Sequence, residues 1–206
     1  MDANPQRRDS SRRCRANGIR RKQLYTYYCF SIMTDESFPM TINEESVRNE
    51  HALLTKVENS SMMRSAKSIR FLVLHCSATR CNQNYSVDQL MRDHKRRGFR
   101  TIGYHFYIRR DGTLTQHRKL LEVGAHARPY NRCSIGICYE GGLDEKGRSK
   151  DTRTARQTVC ITELLKKLHK LFPNARIVGH RDLPGTTPKD CPCLDAQKVF
   201  GWIGKI

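Results

Sequence analysis

No stretch of this 206-residue chain approaches the roughly 20 consecutive apolar residues that span a bilayer. Apolar residues make up 37% of it and mean hydropathy is −0.69. A transmembrane segment is therefore excluded on composition, and a soluble protein is expected. Nine cysteines are too few, and the chain too long, for a disulfide-stapled miniprotein. Their number is odd, and no convincing secretion signal precedes them, so reduced thiols and synthesis in the cytoplasm are expected. Acidic residues are scarce, with 20 Asp and Glu against 38 Lys and Arg, for a net charge of +18. That surplus predicts attraction to something acidic without choosing among nucleic acid, a lipid surface and a wall polymer. Helix-turn-helix, zinc-finger and RNA-reading patterns are all missing, so specific nucleic-acid readout is not expected. There is no internal repeat.

The charge is uneven. Residues 1–22 carry net +6, residues 23–61 net −4 and residues 62–206 net +16. The first segment is a basic arm running from Arg7 to Lys22. An aromatic run follows, with Tyr25, Tyr27, Tyr28 and Phe30, and then a polar, acidic stretch with little periodicity. Residues 1–61 read as a disordered basic and polar extension. Translation starting at Met62 or Met63 is the competing reading. Residues 62–206 read as the folded domain.

That domain has α/β patterning: a mixed central β-sheet flanked by helices. Ile69 to Leu74 is a short apolar run suited to a buried strand. Ser86-Val87-Asp88-Gln89 has the form of a capping box opening a helix to about Arg97, closed by Gly98. Between Gly103 and Arg109, alternation puts Tyr104, Phe106 and Ile108 on one face and His105, Tyr107 and Arg109 on the other. Asp111-Gly112 signals a hairpin into a strand at Leu114. Ser134 to Tyr139 is a further strand, ended by Gly141-Gly142. Thr154-Ala155-Arg156-Gln157 is a second capping box, and its helix stripes Ile161, Leu164, Leu165, Leu168, Leu171 and Phe172 on one side before Pro173 stops it. Arg176 to Gly179 is a short strand, and Asp195 caps a last helix with Val199, Trp202, Ile203 and Ile206 expected inward.

The residues with metal and acid–base chemistry fall at strand ends and in one loop. His75 follows one buried strand and His180 another. Cys191 lies in Pro188-Lys189-Asp190-Cys191-Pro192-Cys193, where the flanking prolines restrict the backbone. Two imidazoles and a thiolate can hold Zn²⁺ and leave a fourth position open, as catalytic sites do, whereas structural sites use four protein ligands. The three are far apart in sequence, so spacing alone leaves alternatives. Cys193 competes with Cys191, and His94, His105, His117 and His126 compete with His75.

Together these segments resemble the zinc-dependent N-acetylmuramoyl-L-alanine amidases, especially the bacteriophage amidase-type lysozymes and their relatives the peptidoglycan-recognition proteins. The resemblance rests on His75-Cys76-Ser77-Ala78-Thr79, Gly103-Tyr104-His105-Phe106, Arg110-Asp111-Gly112-Thr113, Val123-Gly124-Ala125-His126-Ala127, Tyr130-Asn131, Ser134-Ile135-Gly136 and Lys189-Asp190-Cys191-Pro192 with Asp195, in the family's order. Residues 1–61 lie outside it. It implies an amidase fold, Zn²⁺ on His75, His180 and Cys191, catalytic assistance from Tyr104 and Lys189, and a substrate groove lined by His126. Asn131 is read as a turn residue with groove contact as the alternative. Two departures stand out. The segment from Leu183 to Thr187 is longer than in the phage enzymes, and Cys193 is not part of their pattern.

The implied reaction is hydrolysis of the amide joining the lactyl group of muramic acid to L-alanine in peptidoglycan. Zinc lowers the pKa of bound water to about 7, and Lys189 and Tyr104 would assist at the oxyanion and in proton transfer. The expected protein is a monomer, made without a signal peptide and acting on the cell wall. Two other classes stay open: a non-catalytic peptidoglycan-binding module, and a polyanion- or polymerase-binding protein.

Overall fold

A strand without a polar face, such as Phe71-Leu72-Val73-Leu74, must be covered on both sides, and that requirement organises the molecule. The computed structural model describes residues 61–186 and 190–205. The basic arm, the aromatic run and the acidic stretch expected upstream lie outside the described residues, as do Lys189 and Ile206.

The described strands are β1 (Phe71–Cys76), β2 (Thr79–Arg80), β3 (Phe106–Ile108), β4 (Leu114–Gln116), β5 (Ser134–Tyr139), β6 (Gly142–Leu143) and β7 (Arg176–Gly179). Five of them form one mixed sheet in the order β4-β3-β5-β1-β7, and β2 pairs with β6 in a small parallel ribbon. β1 runs parallel to both β5 and β7, and β3 parallel to β5. Only β4 is antiparallel, joined to β3 by the expected hairpin, with Gly112 at φ +89° in its turn.

The helices are α1 (Val87–Arg96), α2 (Ala155–Leu171) and α3 (Ala196–Phe200). α2 opens on the predicted capping box: Thr154 Oγ1 accepts from Gln157 N–H (3.1 Å), and Gln157 Oε1 accepts from Thr154 N–H (3.0 Å). Its Ile161, Leu164, Leu165 and Leu168 are buried against Leu72, Leu74, Ile108, Ile135 and Ile137 of the sheet. The opposite face carries two smaller clusters, one around Phe71 and Val73 and one of Leu90, Ile102, Tyr107 and Cys138 under α1. Met63 reaches into the main core, its N–H donating to the Leu121 carbonyl (2.7 Å).

Four expectations need correction. β1 extends to Cys76, so His75 lies inside the strand rather than after it. At α1 only half of the box forms: Ser86 Oγ accepts from Gln89 N–H, but the Gln89 side chain donates to Asp93 one turn on. Tyr104 packs with Leu90, Tyr107 and Cys138, not with Phe106 and Ile108, because the strand begins only at Phe106 and its alternation does not extend back. At the C-terminus Val199 and Trp202 are exposed, and Ala196, Phe200 and Ile203 point inward. That set follows i, i+4, i+7 spacing from Ala196, a narrower stripe than the one read from the sequence.

Candidate metal centre and active site

The site sits at the carboxyl ends of the parallel strands, where open α/β sheets place their ligands. β1 and β7 are in register with Leu74 opposite Gly179, so the next residue of each chain segment is a histidine. This brings the His75 and His180 rings together, with centroids 4.6 Å apart. His180 opens a 3-10 turn, His180–Asp182, that is held when Asp182 Oδ2 accepts from Gly179 N–H (2.8 Å).

The third donor arrives on the loop at residues 190–193, which is fastened from three sides. Arg181 N–H donates to the Cys191 carbonyl (2.9 Å). Tyr139, in β5, donates its hydroxyl to the Pro192 carbonyl (2.6 Å). Cys76 N–H, in β1, donates to Cys191 Sγ (3.4 Å). Gly179 permits the close approach, since a Cβ there would lie 2.7 Å from Pro192 Cδ.

The result is one group in which His75, His180 and Cys191 each offer a ligand atom within 4.8 Å of the others. Among the described residues it is the only such group of three or more His, Cys, Asp or Glu. Cys191 Sγ lies 3.7 Å from His75 Nδ1. Tetrahedral zinc with Zn–N of about 2.0–2.1 Å and Zn–S of about 2.3 Å sets its N and S ligands about 3.6 Å apart, so the Cys191–His75 pair has the spacing that ion needs.

The competitors named from the sequence lie elsewhere. Cys193 Sγ contacts Cys76 Sγ at 3.7 Å and does not join the group. The Cys76 thiol is pushed up to about 12, first by its contact with Cys191 and also by burial, so it stays neutral. His94 Nδ1 accepts from Gly103 N–H, and His105 Nδ1 accepts from Gly136 N–H. His117 pairs with Thr115 Oγ1 (2.8 Å).

Around the donors, Tyr104 stands with its ring centroid 5.1 Å from that of His75. Burial raises its phenol well above the ordinary value, so the hydroxyl stays neutral and can donate a hydrogen bond. His126 turns its Nδ1 to His75 Nε2 at 3.0 Å, and its own Nε2 is buried and makes no hydrogen bond of ordinary geometry. Asn131 Oδ1 accepts from both His126 N–H and Ala127 N–H (2.9 and 2.8 Å), so its amide oxygen is engaged in holding the loop. Lys189 lies outside the described residues.

Three supporting residues were not singled out from the sequence: Tyr139 as the anchor of the Cys191 loop, and Gly124 and Gly136 as the floor beneath His126. A glycine inside a strand marks a close approach, and Gly136 in β5 carried that signal. The Tyr139 contact spans 53 residues and had no local signature. Two surface hollows, one beside Arg109 and Glu140 and one beside Trp202, contain none of the predicted site residues.

Comparison with known proteins bears on the same region. Residues 65–193 match the family model described as N-acetylmuramoyl-L-alanine amidase. An endolysin of Enterobacteria phage K11 is 39% identical over 130 residues, covering 63% of this chain and 82% of the endolysin. An endolysin of Escherichia phage T7 is 38% identical over 127 residues, covering 62% and 82%. Among solved structures, N-acetylmuramoyl-L-alanine amidase LysC from Clostridium intestinale aligns with a TM-score of 0.56 at 26% identity, over 71% of this chain and 94% of LysC. Bumblebee PGRP-SA, at 22% identity and TM-score 0.54 over 71% and 89%, shares the fold.

Proposed function

This chain belongs to the N-acetylmuramoyl-L-alanine amidase family and is a peptidoglycan hydrolase, and from that premise we propose that it works with zinc held by His75, His180 and Cys191. The observation that carries the metal reading is the convergence of three donor atoms from β1, the end of β7 and the 190–193 loop within 4.8 Å. Two imidazoles and one thiolate are the donor set of an open catalytic zinc site. When bound, zinc supplies a Lewis acid and makes hydroxide available at neutral pH.

The chain's own residues carry the rest. The bond cleaved is the amide between the lactyl group of muramic acid and L-alanine. Tyr104, kept protonated by burial, stands beside His75 and donates a hydrogen bond toward the reacting carbonyl or the departing amine. Lys189, one residue before the Asp190-Cys191 pair in sequence, would supply an ammonium group for the developing oxyanion. The three loop anchors hold Cys191 in place before substrate arrives. The net charge of +16 on residues 62–206 favours docking on anionic wall polymers. Presence of all three donors favours hydrolysis over a purely binding role. Among the described residues no helix is long and apolar enough to cross a membrane.

The test is mass spectrometry of digested peptidoglycan, run with and without a chelator. The expected products are glycans whose muramic acids carry free lactyl carboxylates and intact stem peptides with a free L-alanine amine, formed only while metal is present. Fragments cut between sugars, or undiminished turnover after metal removal and dialysis, would overturn the reading.

A further inference from the structure

His75 has two ring nitrogens, and only one can hold a metal. Nδ1 faces Cys191 Sγ. Nε2 points the other way, to His126 Nδ1 at 3.0 Å. An imidazole that binds metal through Nδ1 must carry its proton on Nε2. A pair of neutral imidazoles shares one proton across such a contact, so the state of His126 decides which nitrogen of His75 keeps a lone pair.

The fold fixes His126 for this contact more firmly than a groove-lining residue requires. Its ring lies over Gly136 of β5 and beside Gly124. A Cβ at Gly136 would come within 2.6 Å of the ring, and one at Gly124 within 2.4 Å. The ring meets that of His75 edge-on, at 86° with centroids 5.0 Å apart. Its backbone and that of Ala127 are clamped by Asn131 Oδ1. Nε2 is buried and makes no hydrogen bond of ordinary geometry, with the Ser134 backbone another polar group acting on the ring, and Nδ1 is the nitrogen turned to His75.

We propose that His126 is a positioning residue for the metal centre: its Nδ1 lone pair accepts the Nε2 proton of His75 and thereby presents the Nδ1 lone pair of His75 to the ion. This rests on the zinc reading and adds to it the group that sets a ligand's tautomer. Partners of this kind orient metal-binding imidazoles, and losing one typically costs about 10–100-fold in metal affinity.

Two substitutions separate this role from filling space. His126→Leu keeps bulk and removes the acceptor. His126→Asn is smaller but returns an oxygen near the place of Nδ1. Zinc affinity, read by competition with a chelating dye, should fall about 10–100-fold in the first and recover most of that loss in the second. Ring ¹⁵N NMR of the wild type at about pH 8, above the ordinary histidine range, should show His126 Nδ1 without a proton and His75 Nε2 with one. Wild-type zinc affinity in His126→Leu, equal losses in both variants, or a proton found on His126 Nδ1 in the zinc-loaded protein would each overturn the proposal. A wild-type protein that took up no zinc would instead sink the metal reading, and metal-free spectra would still report whether His126 takes the proton of His75.

Discussion

Cys191 and Cys193 stand two residues apart, yet their sulfurs serve different ends. Cys191 Sγ faces His75 and accepts from a backbone N–H, while Cys193, at φ +64°, turns its Sγ to Cys76. Cys191→Ala is therefore expected to lose stoichiometric zinc and Cys193→Ser to keep it. Metal analysis of the two purified variants checks both, and equal metal content would refute the assignment. Lys189 carries a different expectation. Removing one oxyanion donor typically costs about 10²–10³ in rate, so Lys189→Ala should retain zinc and lose turnover by that factor. Near-normal peptidoglycan hydrolysis by that variant would remove Lys189 from the mechanism. Residue type and strand-end position left Cys191 and Cys193 as competing donors, and the family resemblance favoured Cys191. The loop geometry brings Cys191, not Cys193, to the histidines, a long-range placement that no local pattern encodes.

At the level of elements, α2 is the main support beneath the sheet that presents His75. Its buried leucines cover one face of β1 and β5, and its first turn is closed by the reciprocal bonds of Thr154 and Gln157. Gln157 goes further, donating from Nε2 to the carbonyls of Ile108 and Glu140 at the ends of β3 and β5. Losing an N-cap costs about 0.5–2 kcal/mol. Thr154→Ala should lower the urea midpoint by a corresponding amount, with zinc content unchanged. A variant as stable as the wild type would mean that tertiary packing alone sets the helix start. The strands β5 and β7 and the helix α2 were legible because their apolar spacing and caps are local. The interior of the last helix was not, since five residues give too short a period to distinguish Phe200 from its exposed neighbours Val199 and Trp202.

For the molecule as a whole, acid should act through buried histidines outside the candidate metal site. Burial holds His94 and His105 down to about 4, against an ordinary value of about 6.5. Each uses a neutral Nδ1 to accept a backbone N–H, from Gly103 and Gly136 respectively. Between these two values the unfolded chain takes up protons that the folded chain refuses. Their contribution is therefore complete above about pH 6.5 and is lost as pH falls toward 4, by up to about 1.4 kcal/mol per pH unit for each histidine. Urea unfolding of the metal-free protein across that range tests this, and His94→Asn, which keeps an acceptor but does not titrate, should flatten the slope. An unchanged midpoint would contradict it. The excess of positive charge makes a separate prediction. Binding to isolated anionic wall polymer should weaken as salt shortens the Debye length from about 10 Å at 0.1 M, and salt-independent binding would exclude electrostatic docking.

The sequence by itself determined the α/β class, most strands and caps, and which residue types could meet at a metal, because hydrophobic period, capping and strand-end position are local properties of the chain. Only the tertiary structure decided that His126 bonds to His75, that Asn131 clamps the loop beneath it, and that Tyr139 holds the loop bearing Cys191. Those contacts depend on parallel strands far apart in the chain ending side by side, and on glycines leaving room where they do.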